Sequence, residues 1–254
     1  MPPQTDSTQA QNIAGDIYSD AAEFYPSGVN VMIDLDGDEI DEEVFYEETD
    51  LLINGKSFGE IIGDRVFMND PNPDHFVIAD IDTLDPGKQI GILTSGPSDD
   101  HETFFYDYRN EELYDLGSVP ALMENPETSF DGKGHIYGPK RLGVIQTWYA
   151  PARWKLESKI LDDPYDLYHP ITFGYEETIV LKEDLPIYTN MRDENPSSVM
   201  KPQEVEFLAT DNKNWVQLEG ADGTKGWFKF FEWSYLADLD KDVMDVFDNL
   251  NMSD

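Results

Sequence analysis

The chain has no cysteine, no long apolar run and no basic segment at its start. Without cysteine it cannot form disulfides, thiolate zinc sites or a cysteine nucleophile. No stretch approaches the ~18 consecutive apolar residues that a membrane span needs. Residues 1–12 also lack the basic start and apolar core of a signal peptide. We therefore expect either a cytosolic protein or a chain that begins after a removed export signal.

Positive charge is also scarce. Seventeen Lys and Arg residues stand against 53 Asp and Glu residues, which gives a formal net charge of −36. A typical small domain carries a net charge of about 2–8 in magnitude, so this field should repel nucleic acid and anionic membranes and favour bound cations. At 254 residues, with 13% aromatic residues, the chain is long enough for one large or two modest folded domains.

Recognisable catalytic motifs are few. Ser98-Asp99-Asp100-His101 contains the residue types of a hydrolase triad, but the groups of a triad converge from separate segments. The histidines lack zinc-site spacing, and the sequence has no phosphate-binding loop or dinucleotide fingerprint. A glycosidase pair of carboxylates among the many acids remains an alternative. The four histidines are His75, His101, His135 and His169.

The most informative segment is an acidic loop of nine residues that precedes a strand-like run. Carboxylates at positions 1, 3, 5 and 9 of this loop, with the backbone carbonyl of position 7, can converge on one point. Oxygen ligands alone suit a hard cation, and calcium takes roughly six to eight of them, some from water. The predicted calcium ligands are Asp34, Asp36, Asp38, the Ile40 carbonyl and Glu42.

This loop differs from an EF-hand loop. An EF-hand needs Gly at position 6 and Glu at position 12, where this chain has Glu39 and Phe45. The alternative to a metal site is an acidic surface turn, in which Asp and Gly are present for tight backbone geometry. We favour calcium.

The strand and loop have an internal counterpart. Val31–Asp36 aligns with Val77–Asp82, because each segment is an apolar strand that enters an Asp-x-Asp turn. In the second copy Lys88 and Gln89 replace the distal acids. A shaped turn without a ligand is the favoured interpretation there, and a second metal turn is the alternative. Its ligands would be Asp80, Asp82 and Asp85.

The pattern along residues 27–161 predicts short antiparallel strands, and hence an all-β fold. Residues 1–26 are predicted to be a flexible lead-in, and a short helix near Asp16–Phe24 is the alternative for its last part. Turn dipeptides such as Asn54-Gly55 separate the strands. The predicted strands are Val29–Ile33, Val44–Tyr46, Leu51–Ile53, Phe76–Ile78, Ile90–Leu93, Thr103–Tyr106, Leu142–Trp148 and Arg153–Leu156.

A linker over residues 162–175, with Pro164, Pro170 and Gly174, should lead to a second, independently folded unit. Five short strands are predicted in residues 176–235. Residues 236–254 repeat apolar side chains at helical spacing, which predicts a short C-terminal amphipathic helix and tail. The five strands are Thr178–Leu181, Leu185–Tyr188, Glu204–Ala209, Trp215–Leu218 and Gly226–Phe228.

The Asp34 loop resembles the Asp-x-Asp-Gly-Asp-x-x-Asp/Glu loops of FG-GAP/VCBS repeats, the integrin-type propeller blade. Glu39 stands where that family usually has glycine. The resemblance implies calcium and a β-repeat domain over residues 27–161, which is long enough for a partial propeller or a compact sandwich. This block also resembles a module of exported clostridial proteins. The segments that carry that resemblance are Ala79–Asp82, Ser95–Asp100, Phe130–Gly134 and Leu142–Trp148.

Residues 176–235 resemble the bacterial SH3 (SH3b) domain. The similarity lies in the start Leu185-Pro186-Ile187-Tyr188, in Trp215-Val216 and in Gly226-Trp227. Pro202-Gln203 replaces the glycine usual before the strand that contains Val205. The resemblance implies a small SH3-like β-barrel.

Aromatic residues concentrate in and after this second half. Those that remain exposed would suit peptides or sugars, and the negative field favours cationic or neutral partners such as amine-bearing wall peptides. Trp215 is expected in the core, whereas Tyr188 and Trp233 are the predicted ligand contacts.

Together these features predict an exported, non-enzymatic, monomeric calcium-binding protein. It would act at the cell surface or cell wall, in contact with a wall component or a surface protein. The alternatives are a carbohydrate- or peptidoglycan-active hydrolase that uses paired carboxylates, and a structural spacer without a ligand.

Overall fold

A computed structural model of the chain describes residues 22–47, 50–66, 75–95, 101–120, 129–170 and 178–252. These residues form antiparallel sheets with two short helices, which confirms the predicted all-β class. No helix among them is long and apolar enough to cross a membrane. Chain contacts define two compact units. Unit 1 comprises positions 1–139 and 153–164, and unit 2 comprises positions 140–152 and 165–254.

Unit 1 begins with a small antiparallel meander, in strand order β2-β3-β4-β5. Alternate residues of β3 face inward, so that Glu42, Val44 and Tyr46 are buried while their neighbours are more exposed. This period of two is what an extended strand imposes on its side chains. The elements are β1 Ala22–Pro26, β2 Asn30–Ile33, β3 Glu42–Glu47, β4 Asp50–Ile53, β5 Lys56–Ser57 and α1 Gly59–Val66.

A second sheet of unit 1 has the strand order β1-β6-β7-β8-β9. Ile90 and Tyr106 lie in the same buried cluster as Val44 of the meander. The opposite face is also packed, since a Cβ on Gly91 would lie 2.5 Å from Cγ1 of Val77. The additional strands are β6 His75–Ala79, β7 Gln89–Ser95, β8 His101–Arg109 and β9 Glu112–Val119.

The next strands along the chain are β10 Ser129–Phe130, β11 His135–Leu142, β12 Trp148–Leu156 and β13 Ile160–Asp162. The strand predicted over Leu142–Trp148 is wrong, because residues 143–147 form the connection between β11 and β12. Ile145 there has φ +71, a left-handed backbone angle that a strand residue does not adopt. The apolar residues that suggested a strand, Val144 and Ile145, are nevertheless buried.

The N-terminal prediction also needs correction where it can be compared. Ala22–Pro26 is a strand that pairs with β6, with Phe24 opposite Val77. The flexible lead-in predicted over residues 1–26 is therefore wrong for residues 22–26. The short helix considered near Asp16–Phe24 is likewise wrong for residues 22–24. Partner strands supply hydrogen bonds to this backbone that its own sequence pattern does not reveal. Residues 1–21 lie outside the described residues.

All five strands predicted for the second half are present. The main sheet of unit 2 has the order β19-β18-β17-β14-β22, and two further pairs are β15-β16 and β20-β21. Phe207, Phe228 and Phe247 pack with ring centroids 5.5–5.9 Å apart. The elements are β14 Ile179–Leu181, β15 Leu185–Ile187, β16 Ser198–Met200, β17 Gln203–Thr210, β18 Trp215–Gly220, β19 Lys225–Lys229, β20 Tyr235–Leu236, β21 Lys241–Asp242, α2 Val243–Val246 and β22 Phe247–Asp248.

The helix predicted over residues 236–254 is wrong for most of its length. Of the described residues in this segment, 236–252, only Val243–Val246 are helical, and the helix is capped by Asp242, whose side chain accepts a hydrogen bond from the amide of Met244. Phe247 then enters a strand opposite Leu181. Val243, Val246 and Phe247 are buried, so their apolar character reflects packing in a compact tail.

Candidate metal centre

The acidic loop connects β2 to β3 and is shaped by its own side chains. One carboxylate oxygen of Asp34 accepts a hydrogen bond from the amide of Gly37 (2.8 Å), and the other accepts one from the amide of Glu39 (3.0 Å). Asp38 accepts a hydrogen bond from the amide of Ile40 at 2.8 Å. Asp side chains that bind nearby backbone amides in this way favour tight turns. They fold the chain back so that carboxylates from both ends of the loop approach one another.

Three carboxylates meet at this point. Asp34, Asp36 and Glu42 each offer one oxygen, and these oxygens lie within 4.8 Å of one another. Glu42 is 6% exposed, since it occupies an inward-facing position of β3. Its Oε2 accepts a hydrogen bond from the amide of Leu35 at 2.9 Å. Oδ1 of Asp36 is buried and has no hydrogen-bond partner among the described residues.

The electrostatics of the group follow from this packing. Burial raises the pKa of Glu42, and the negative charges of Asp36, Asp38 and Asp34 raise it further, while the hydrogen bond from Leu35 opposes them. Like charges held this close repel one another, and a divalent cation among them would remove that cost. A donor set made only of carboxylate oxygens suits a hard cation, and these residues therefore fit a metal ion.

Three of the four predicted carboxylate ligands are thus brought together. Asp38 is not a member of the group, and like Asp34 and Glu42 it accepts a hydrogen bond from a backbone amide, that of Ile40. Glu39, which replaces the glycine usual in FG-GAP/VCBS loops, has φ +68. That left-handed conformation costs a non-glycine residue about 1–2 kcal/mol. The backbone therefore keeps the shape for which glycine is suited, at some expense in stability.

The second Asp-x-Asp turn is built in a similar way but lacks the metal-ligand spacing. Within the part of the chain that the structure describes, Asp80, Asp82 and Asp85 form no group with the spacing of metal ligands. Asp82 and Asp85 accept hydrogen bonds from the amides of Leu84 and Gly87, each at 3.1 Å. These interactions are those expected of a shaped turn.

Two substitutions explain the difference between the turns. The amide of Ile81 donates to Oε1 of Gln89 at 3.2 Å, just as that of Leu35 donates to Glu42, so a neutral amide occupies the place of the buried carboxylate. Burial raises the pKa of Asp80, and the positive charge of Lys88 counteracts this effect. The second turn therefore has one acid fewer and a cation of its own.

Sequence reasoning did not identify Tyr108 as a neighbour of the acidic group. This residue of β8 is 3% exposed. Burial raises the pKa of its hydroxyl, and the charges of Glu42 and Asp36 contribute to the rise. Alternation in β8 marks Tyr106 and Tyr108 as residues of one face, but only the pairing of sheets in unit 1 brings that face to the loop.

Of the two predicted ligand contacts in unit 2, Tyr188 does not have the exposure expected of it. It is 4% exposed, and its hydroxyl donates a hydrogen bond to Asp238 at 2.8 Å. Its ring packs edge-on against Trp215 at 5.1 Å, and Trp215 is only partly buried. A backbone bridge to Trp227 holds Tyr188 inward, whereas the sequence placed it near a loop.

Trp233 does have the predicted exposure, at 69%. It lies in a short turn closed by the bridge between Phe231 and Tyr235, which are themselves 37% and 38% exposed. Trp233 has φ +74, and its carbonyl accepts a hydrogen bond from the amide of Ile145 at 2.9 Å. The turn therefore holds a large aromatic side chain in solvent, in a conformation that a tryptophan rarely adopts.

Comparisons of the chain with protein-family models, with curated proteins and with solved structures give no match. The resemblances to FG-GAP/VCBS loops and to SH3b domains therefore remain predictions from the sequence.

Proposed function

We propose that the loop Asp34–Glu42 binds Ca²⁺ and that the chain is an exported, non-enzymatic binding protein of the cell surface. The observation that carries the calcium proposal is the convergence of Asp34, Asp36 and Glu42 within 4.8 Å. The buried, unpartnered Oδ1 of Asp36 supports it, because an acceptor without a donor is costly unless something positive binds it.

Calcium fits this group better than other common cations. Zinc sites draw on His and Cys, and no such side chain belongs to the group. Mg²⁺ demands near-ideal octahedral geometry and keeps several waters, whereas Ca²⁺ accepts irregular sets of about six to eight oxygens. The Ile40 carbonyl, Asp38 and water would complete such a set. A net charge of −36 also favours retention of a divalent cation.

The role of the bound ion would be structural. Asp34 and Asp36 flank Leu35, which is fully buried in the core of unit 1, and Glu42 begins β3. An ion shared by these residues would join the end of β2 to the start of β3. Extracellular calcium modules typically bind at about 10⁻⁴–10⁻³ M, a range that suits a structural site outside the cell.

The binding role would belong to unit 2, through the exposed turn at Trp233. An exposed indole in a strongly negative field suits cationic or neutral ligands, through stacking and cation–π contacts. We propose amine-bearing cell-wall peptides as partners, with a surface protein as the alternative. Hydrolysis by paired carboxylates and a spacer role without a ligand are the competing hypotheses.

The calcium proposal is tested by thermal melts of the full chain in calcium and in chelator. Asp36→Asn should remove most of the difference between the two melts, because it removes a charged ligand. Asp41→Asn is the matched control, since Asp41 is an exposed acid of the same loop outside the group. If the wild-type protein melts identically in both conditions, or if Asp41→Asn has the same effect as Asp36→Asn, the loop is only an acidic turn.

A further inference from the structure

The second Asp-x-Asp turn contacts the acidic loop at two points. A Cβ built on Gly37 would lie 2.4 Å from Cβ of Pro86 and 2.9 Å from its carbonyl oxygen, so the two backbones touch. The amide of Lys88 also donates a hydrogen bond to the carbonyl of Leu35 at 2.8 Å. Both contacts come from residues outside the carboxylate group.

Leu35 is consequently fixed at both of its backbone polar groups. Its amide donates to Glu42 and its carbonyl accepts from Lys88, while its side chain is fully buried. Asp34 and Asp36 are the neighbours of Leu35 in sequence and the two other members of the carboxylate group. The orientation of the Leu35 backbone thus determines the positions and directions from which the side chains of Asp34 and Asp36 extend.

The second turn holds its central residue by the same two backbone hydrogen bonds. Ile81 is also fully buried, its amide donates to Gln89, and its carbonyl accepts from the amide of Gly134 at 2.9 Å. Each Asp-x-Asp turn is therefore held by the side chain that opens the following strand and by the backbone of a later turn. Among the described residues, only the first of these two turns also brings together carboxylates with the spacing of metal ligands.

We propose that the segment Pro86–Lys88 is the positioning element of the cation site and sets both its affinity and its preference for Ca²⁺ over Mg²⁺. This inference rests on the proposed calcium function. Residues that orient metal ligands without touching the ion typically change metal affinity by about 10–100-fold when they are mutated. Selectivity between the two ions depends on the size and flexibility of the site. Because hydrogen bonds to Glu42 and Lys88 hold the Leu35 backbone, the cavity between the carboxylates can change its size only a little.

Pro86 is the residue to change. Its ring fixes the backbone angle φ of Pro86 near −65° and so fixes the Cβ and carbonyl group that Gly37 contacts. Pro86→Gly removes the Cβ that approaches Gly37 and frees the turn. We expect the dissociation constant for Ca²⁺, measured by calorimetric titration of the folded full chain, to rise about tenfold. The ratio of Mg²⁺ to Ca²⁺ dissociation constants should fall, because a looser loop no longer enforces one cavity size.

Pro164→Gly is the matched control. Pro164 is an exposed residue of unit 1, and the same replacement there makes the unfolded chain more flexible without touching the loop. Gly37→Ala is the second variant, because its new Cβ would press on Pro86 from the other side and would also strain the backbone, whose φ there is +76. It should also weaken Ca²⁺ binding.

The outcomes separate the two proposals. If the wild-type protein binds no Ca²⁺, the proposed function fails and the positioning role is overturned with it. If the wild-type protein binds and both Pro86→Gly and Gly37→Ala keep its affinity and selectivity, the positioning role is overturned. It is also overturned if both variants unfold without calcium under conditions in which Pro164→Gly remains folded, since the segment would then stabilise the fold in general.

Discussion

Replacing Glu42 by glutamine should remove most of the stabilisation that calcium gives the protein, while leaving its metal-free fold intact. The glutamine side-chain oxygen can still accept the 2.9 Å hydrogen bond from the amide of Leu35. The protein already contains this arrangement in its second turn, where Gln89 accepts a hydrogen bond from Ile81. Because the replacement also removes a buried negative charge that lies among other acids, the metal-free protein should lose no stability, and a gain of up to about 1 kcal/mol is expected.

The magnitude in calcium follows from the charge that is lost. Removing one of three carboxylates should cost at least about 2 kcal/mol of binding free energy, or roughly thirtyfold in affinity. With a dissociation constant of about 0.1–1 mM, calcium at about 10 mM stabilises the wild type by about 1.4–2.7 kcal/mol. For Glu42→Gln the same calcium concentration should stabilise the protein by only about 0.2–0.9 kcal/mol.

Thermal melts in calcium and in chelator measure this difference. For a unit of this size 1 kcal/mol corresponds to roughly 2–4 °C, so the wild-type melting temperature should rise by about 3–10 °C. Glu43→Gln is the control, because Glu43 is the next residue of β3 and is exposed on the opposite face. The proposal is refuted if Glu42→Gln keeps the wild-type rise. It is also refuted if Glu42→Gln destabilises the calcium-free protein by several kcal/mol, since the carboxylate would then have a structural role that needs no ion.

The remaining predictions concern pH and the exposed turn. Burial and the neighbouring acids raise the pKa of Glu42, so in calcium-free protein its contribution to stability is fully present below its unfolded pKa and is lost as pH rises through its folded value. Calcium requires the ionised form, so the gap between melts in calcium and in calcium-depleted buffer should narrow as pH falls through the same window, and a gap that is constant from pH 7 to pH 4 would contradict this. Trp233→Gly should stabilise the protein by about 1 kcal/mol, because glycine adopts φ +74 without strain and the indole buries little surface. The same variant should lose retention on purified cell wall at low salt with calcium present, and retention equal to that of the wild type would exclude Trp233 as the contact.

Local sequence was sufficient for many of the strands and for the acidic loop. Alternating apolar residues and turn dipeptides predicted about half of the observed strands, since a strand that is buried on one face must repeat with a period of two. The Asp34 loop could be recognised because Asp side chains bind backbone amides within a few residues of themselves, as Asp34 and Asp38 do. The alignment of Val31–Asp36 with Val77–Asp82 likewise corresponds to two turns with the same backbone arrangement.

Tertiary structure decided what depended on distant partners. Phe247 is a strand residue because it pairs with Leu181, far away in sequence, which ended the helix that the apolar spacing predicted. Tyr188 is buried because Trp227 and Asp238 hold it, although its sequence neighbours resemble a loop. Tertiary structure also decides which of the loop's carboxylates come together. Glu42 joins Asp34 and Asp36 because β3 turns it inward, while the contact between Gly37 and Pro86, almost fifty residues apart, has no trace in local sequence. Short-range hydrogen bonds leave a pattern in the chain, whereas packing between separate segments becomes visible only once the sheets have formed.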